Sequence, residues 1–232
     1  YLTEQGITIL NNVTLDSVSN DGDKPVITAN NQNYTFDAVL YATGRKANTA
    51  NIGLEHTNIA TNERGAIVVN DTCESSVSGV YAVGDVNGGP QFTYISLDDF
   101  RIVFGALTGN GNYTLKDRKN IPYTTFLTPP LARVGLTEED AINKGYTVKT
   151  KEMLVATMPR AHVNDNLKGA FKIVVDAESN LILGATLYSQ SAEELINLIK
   201  IAMDNNIPYT YFKNQIFTHP TMAENLNDLC NF

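Results

Sequence analysis

His219 and Glu224 stand five residues apart in Phe217-Thr218-His219-Pro220-Thr221-Met222-Ala223-Glu224. Histidine titrates near neutrality, and a carboxylate five positions on, after a proline-started turn of helix, can fix its tautomer and stabilise the imidazolium. That is proton-shuttle chemistry. A His-Pro beside a Glu is more often structural, so the residues alone leave both readings open. Two glycine turns offer a second kind of chemistry. Thr43-Gly44-Arg45 ends an apolar run, where a small residue permits close backbone approach at a sheet edge that binds ligands in α/β proteins. Val83-Gly84-Asp85-Val86 ends another such run, and its aspartate would present a carboxylate suited to a polyol hydroxyl. A simple strand end and a simple turn aspartate are the plainer readings of the two.

The elements that must hold these groups fall into two patterns. Residues 1–40 read as short β-type runs, Gly6 to Leu10, Val13 to Val18, Val26 to Ala29 and Tyr34 to Phe36, with turns at Asn20-Asp21-Gly22-Asp23 and Asn30-Asn31. Asp37 to Ala42 and Gly79 to Val83 are near-continuous apolar runs of the kind buried in a parallel sheet. A helix is predicted from about Tyr94 to Leu107. The polar joint from Gly109 to Asn120 sets a domain boundary near residue 115. Beyond it the pattern is α+β. Thr137 opens a helix that Gly145 closes, strands run from Thr147 to Val155, Phe171 to Asp176 and Leu181 to Tyr188, and residues 177–180 form a hairpin loop. Ser191-Ala192-Glu193-Glu194 reads as a capping box, opening a helix with Leu195, Leu198, Ile199 and Ala202 on its core face and Ile196 and Met203 widening it.

Composition narrows the function classes. The 232 residues are 43% hydrophobic and 18% charged, with net charge −8, an ordinary globular profile that disfavours a nucleic-acid or anionic-membrane surface. No run approaches the roughly 18 apolar residues that span a bilayer. The reading is therefore a soluble protein. Cys73 and Cys230 cannot make a disulfide scaffold, and no CxxC, HExxH or Cys/His cluster marks a metal site. A reducing cytoplasm is the expected setting. His56 sits in the polar loop Leu54-Glu55-His56, and His162, beside Arg160, has no identified carboxylate partner for acid-base work. The chain starts at Tyr1 without a methionine, which leads to the expectation that it is a piece of something longer.

Asp37-Ala38-Val39-Leu40-Tyr41-Ala42-Thr43-Gly44-Arg45 followed about forty residues later by Gly79-Val80-Tyr81-Ala82-Val83-Gly84-Asp85 resembles the second half of a pyridine nucleotide-disulfide oxidoreductase. The resemblance implies that the first motif, with Thr43 and Gly44, returns the chain from an NAD(P) domain to an FAD domain. It implies that Gly84 and Asp85 hold the FAD ribityl group. Phe92-Thr93-Tyr94 resembles the helix start beneath the flavin, which makes Thr93 and Tyr94 cofactor-binding residues. Ala47 departs from the proline usual after the Gly-Arg turn. The His219 to Glu224 segment is similar to the family's catalytic carboxy-terminal motif, in which the histidine serves the partner subunit's active site. Gln91 to Arg101, Thr128-Pro129-Pro130-Leu131, Met158-Pro159-Arg160-Ala161 and Glu224 to Leu229 resemble the RclA-type reactive-chlorine-resistance subgroup, whose members are associated with reduction of copper(II) or hypothiocyanous acid.

The expected fold is thus α/β plus α+β: residues 1–45 the end of an NAD(P)-binding domain, 46–115 a returning FAD-domain segment, and 116–232 an α+β dimerisation domain with an antiparallel sheet. The expected function is the carboxy-terminal part of an FAD-dependent NAD(P)H oxidoreductase acting through a cysteine pair absent from this chain. Expected partners are a second copy through residues 116–232, the amino-terminal half and a small-molecule oxidant, with no nucleic acid, membrane or metal. FAD and NAD(P)H belong to the full-length protein, and whether this segment retains FAD is open. The GxGxxG fingerprints that seat pyrophosphate on a helix amino terminus are not in the sequence. The alternative is a non-catalytic dimerisation module.

Overall fold

A computed structural model describes residues 1–232, which divide into two compact units, Tyr1–Leu115 and Lys116–Phe232. In the first, β1 (Leu15–Asp21), β2 (Lys24–Ala29) and β3 (Gln32–Thr35) form an antiparallel meander. Its second turn is chemically specified: Asn30 and Asn31 sit at φ 49° and 61° between the paired Ala29 and Gln32. Asparagine tolerates that left-handed backbone, and two such residues match the twist of a two-residue hairpin. The Asn31 N–H also donates to Asp16 Oδ2 at 2.8 Å. A long helix, α1 (Thr93–Thr108), follows, ending at Gly109 in the left-handed conformation. It buries Ile95, Asp99 and Ile102.

Three expected strands of this unit are absent. Gly6 to Leu10 and Asp37 to Ala42 pair with nothing, and Leu40 and Tyr41 are 89% and 66% exposed. Gly79 to Val83 contributes only the isolated bridge between Glu74 and Tyr81. The apolar content predicted burial, but a strand also requires a neighbour for its ladder: residues 73–75 give 79–83 only two backbone bonds, and the other two segments find none.

In the second unit, β4 (Tyr123–Thr125), β5 (Leu131–Gly135), β6 (Val148–Leu154), β7 (Ala170–Asp176) and β8 (Ile182–Tyr188) make an antiparallel sheet in the order β4-β5-β8-β7-β6. The helices are α2 (Glu138–Asn143), α3 (Pro159–Val163), α4 (Ala192–Asp204), α5 (Tyr209–Lys213) and α6 (Asn225–Leu229). Period-two alternation places Phe171 and Ile173 of β7 opposite Leu187 and Ala185 of β8, all buried. Helix α4 lays Leu195, Ile196, Ile199 and Ala202 into the same core, while Met222, Leu226 and Leu229 come from the carboxy end. Leu198 is 37% exposed, on the flank rather than the core face. Thr137 and Asp140 form the reciprocal capping box of α2, which holds the Asp140 carboxyl below its ordinary range. Ser191 does not cap α4. It lies in the left-handed region at φ 64° and its side chain makes no cap bond. None of the helices is long and apolar enough to cross a membrane.

Candidate functional site

The carboxy-terminal turn is fixed from below. Met222, Leu226 and Leu229 are buried in the core, so the segment carrying Glu224 cannot drift. Asn227 donates to the carbonyls of Phe212 and Gln215 at 2.6 and 2.9 Å, and Asn225 to that of Met222 at 3.0 Å. At the far end of α6, Lys151 Nζ reaches the carbonyls of Asp228 and Asn231 at 2.7 and 2.5 Å, placing a cation where the helix leaves acceptors unpaired.

On this base Glu224 is held by both oxygens. Its Oε1 accepts the Thr221 N–H at 3.1 Å, and Thr221 Oγ1 accepts the Glu224 N–H at 3.2 Å. This is the reciprocal pattern of a capping box. Oε2 remains for His219, whose Nδ1 lies 2.8 Å away. A carboxylate only accepts, so Nδ1 carries the proton and Nε2 of the neutral ring is left basic. The His219 side chain is 69% exposed and that of Glu224 only 18%. The arrangement can take up or deliver a proton at Nε2 while the ring orientation is held.

The other predicted residues gather in the first unit. Gly84–Asn87 is a short 3-10 turn before α1, and Gly84 sits at φ 71° against Ser96, where an added Cβ would approach Ser96 Oγ to 2.5 Å. Arg45 Nη1 meets Asp85 Oδ2 at 3.3 Å, joining the two glycine turns. Thr43 and Gly44 are exposed in the same turn as Arg45. Helix α1 begins at Thr93 with no side-chain cap from Phe92. Phe92 and Tyr94 stack with centroids 5.1 Å apart, and burial raises the Tyr94 hydroxyl above its ordinary pKa. A half-exposed carboxylate beside a helix start without a side-chain cap is a donor and acceptor set that fits polyol hydroxyls and a ring that becomes negative on reduction.

Sequence reasoning passed over Asp99, Lys151 and Thr221 as supporting groups. The T-x-x-E spacing of Thr221 and Glu224 is a recognisable signal. Nothing local distinguishes Asp99, which bonds groups 12 and 15 residues away, or Lys151, whose partners are more than 70 residues away. The remaining candidates lie elsewhere. His162 Nε2 is 2.8 Å from the Ala156 carbonyl, and His56 adjoins Glu55 in a surface turn. Both cysteines are free and buried, and burial pushes the Cys230 thiol up to about 12 against the opposing charge of Lys151. A thiol so poorly ionised is a weak nucleophile.

An antiparallel-sheet domain ending in a carboxylate-oriented histidine, preceded by a Gly-Asp turn and helix, defines a class of flavoprotein oxidoreductase architecture. The family models agree: "pyridine nucleotide-disulphide oxidoreductase" matches residues 1–99 and "pyridine nucleotide-disulphide oxidoreductase, dimerisation domain" matches 121–230. The chain belongs to the pyridine nucleotide-disulphide oxidoreductase family. It is 43% identical over 228 residues to the probable pyridine nucleotide-disulfide oxidoreductase RclA of Escherichia coli, covering 98% of this chain and 52% of that protein. It is 35% identical to mercuric reductase of Staphylococcus aureus, covering 97% of this chain and 42% of that one. Among solved structures, the Cu(II) complex of the HOCl-induced flavoprotein disulfide reductase RclA from Escherichia coli superposes with TM-score 0.94 at 43% identity, over 99% of this chain and 52% of that chain. The chain thus spans about half the length of these relatives.

Proposed function

We propose that this chain is the carboxy-terminal part of a flavin-dependent NAD(P)H oxidoreductase that reduces a disulfide-like oxidant, hypothiocyanous acid or copper(II). The carrying observation is the 2.8 Å contact between His219 Nδ1 and Glu224, whose carboxylate is itself anchored by Thr221. Bound FAD supplies electron transfer between a nicotinamide and a disulfide. Gly84 and Asp85 engage its ribityl hydroxyls, Thr43 and Gly44 let the backbone pass close by, and the α1 start at Thr93 and Tyr94 favours negative charge on the reduced ring. When a reduced cysteine pair, outside these residues, attacks a substrate disulfide, one S–S bond forms and another breaks. The attacking thiol gives its proton to His219 Nε2, and the departing thiolate takes that proton back from the resulting imidazolium. The second unit pairs with its copy so that His219 serves the partner subunit, residues 1–45 close an NAD(P) domain and 46–115 an FAD domain, and the amino-terminal half covers Leu40 and Tyr41. Two free cysteines suit a reducing cytoplasm.

One observation favours the alternative dimerisation module: the main hydrophobic core lies wholly within the second unit. Flavin absorbance separates the two readings, since a module would purify as a colourless dimer. Steady-state NAD(P)H oxidation by the flavin-loaded, full-length protein tests the proposal itself. His219→Ala should lower the rate with a disulfide by roughly 10²- to 10⁴-fold, with hypothiocyanous acid affected in the same direction. The copper(II) rate should be spared, because an electron delivered to a metal needs no protonated leaving group. Unchanged rates with every proton-requiring oxidant would exclude His219 as the acid.

A further inference from the structure

Asp99 is a carboxylate with no part in the chemistry above, yet it is fully buried on α1. Burying a charge is costly unless hydrogen bonds replace its water, so its partners identify what it holds. The Gly84 N–H donates to Asp99 Oδ2 at 2.7 Å, and Asn87 Nδ2 donates to the same oxygen at 2.9 Å. These donors are the two ends of the 3-10 turn Gly84–Asn87, and the residue directly after the first is Asp85. Asn87 Nδ2 also lies 3.3 Å from the Ala82 carbonyl, which ties the turn back to the chain that enters it. Ser96, almost one helical turn before Asp99, is the group on which Gly84 rests. The neighbouring Asp98 is engaged differently, accepting from the Tyr113 hydroxyl at 3.3 Å with Arg101 at 3.9 Å.

We infer that Asp99 is a positioning residue for flavin binding: its carboxylate clamps both ends of the Gly84–Asn87 turn and so sets where Asp85 presents its own carboxylate. The inference rests on the ribityl reading of Asp85. Charge-assisted hydrogen bonds to a buried carboxylate are among the stronger ones, and removing the acceptor strands two donors. Asp99→Leu keeps the volume and removes the acceptor. Asp99→Asn keeps an oxygen where both donors converge. Asn87→Ala loosens the clamp from a half-buried position, so it reports on the turn even if the leucine variant folds poorly.

The test is a double-mutant cycle on the FAD dissociation constant, measured by flavin fluorescence titration of the deflavinated full-length protein. Asp99→Leu and Asp85→Ala should each weaken FAD by about tenfold or more, and the double variant should bind no more weakly than the weaker single one, since both act through one contact. Asp99→Asn should recover most of the loss, Asn87→Ala should weaken FAD severalfold, and Gly84 amide exchange should quicken in Asp99→Leu. Fully additive losses, or an unchanged constant in Asp99→Leu beside a weakened Asp85→Ala, would overturn the inference alone. An unchanged constant in Asp85→Ala would instead overturn the ribityl reading on which it stands.

Discussion

Glu224 divides its two oxygens between a backbone donor and a histidine, and this division makes the pair sensitive to a change of one atom. Glutamine at 224 has one acceptor oxygen for two donors, so its amide would face either the Thr221 N–H or His219 Nδ1. With the carbonyl kept on the Thr221 N–H, the Glu224→Gln amide donates to Nδ1, so the imidazole proton should move to Nε2, visible in the ring nitrogen chemical shifts of His219, and turnover should fall less than in His219→Ala. Retention of the Nδ1–H tautomer would show that the carboxylate does not choose it. The His-Glu contact was legible because five residues set it, whereas the Thr221–Glu224 bonds, set by three, were passed over although their spacing is as plain. Cys230 offers a pH test. Its folded pKa is raised from 9.0 to about 12, so the unfolded thiol ionises first as pH rises. Its contribution is complete below pH 9 and lost between 9 and about 12. Urea unfolding at pH 8 and 10.5 should show a smaller alkaline loss of stability in Cys230→Ala than in the native protein, and equal losses would refute the shifted thiol.

At the scale of elements, what could be read was what is local. The Asn30-Asn31 turn, the start of α2 at Thr137 and the β7–β8 hairpin announce themselves within a few residues, whereas the equally local capping box expected at Ser191 gives way to a left-handed backbone there. The strands expected at 37–42 and 79–83 do not form because apolar content is only half of a strand and the other half is a partner elsewhere. The short strands β4 and β5 escaped notice for the complementary reason: three and five residues carry little periodicity, and β5 is defined by its partner β8 and β4 in turn by β5. Gly135 and Gly184 face each other across β5 and β8, and a Cβ on Gly184 would collide with the Leu136 backbone. Gly184→Ala should lower the stability of the second unit by about 1–3 kcal/mol in denaturant unfolding, and a neutral result would mean that the strands separate without cost. Lys151→Met removes the cation from the end of α6, which carries Glu224 at its start. The expected loss is about 1–2 kcal/mol, with faster exchange of the α6 amides as the measurement.

For the whole molecule, the second unit contains the main apolar core and the histidine, and the proposal makes it the two-fold interface as well. Light scattering on the 232-residue chain at micromolar concentration should give the mass of a dimer, whereas a monomer would weigh heavily against that assignment. The most direct measurement of the central claim is stopped-flow separation of the two half-reactions in the full-length, flavin-loaded protein, native and His219→Ala. Hydride transfer from NAD(P)H to the flavin needs no acid from the carboxy end, whereas release of a substrate thiolate does. Flavin reduction should be nearly unchanged and reoxidation by a disulfide substrate slowed roughly 10²- to 10⁴-fold. Equal slowing of both half-reactions, or no slowing of reoxidation, would contradict the account.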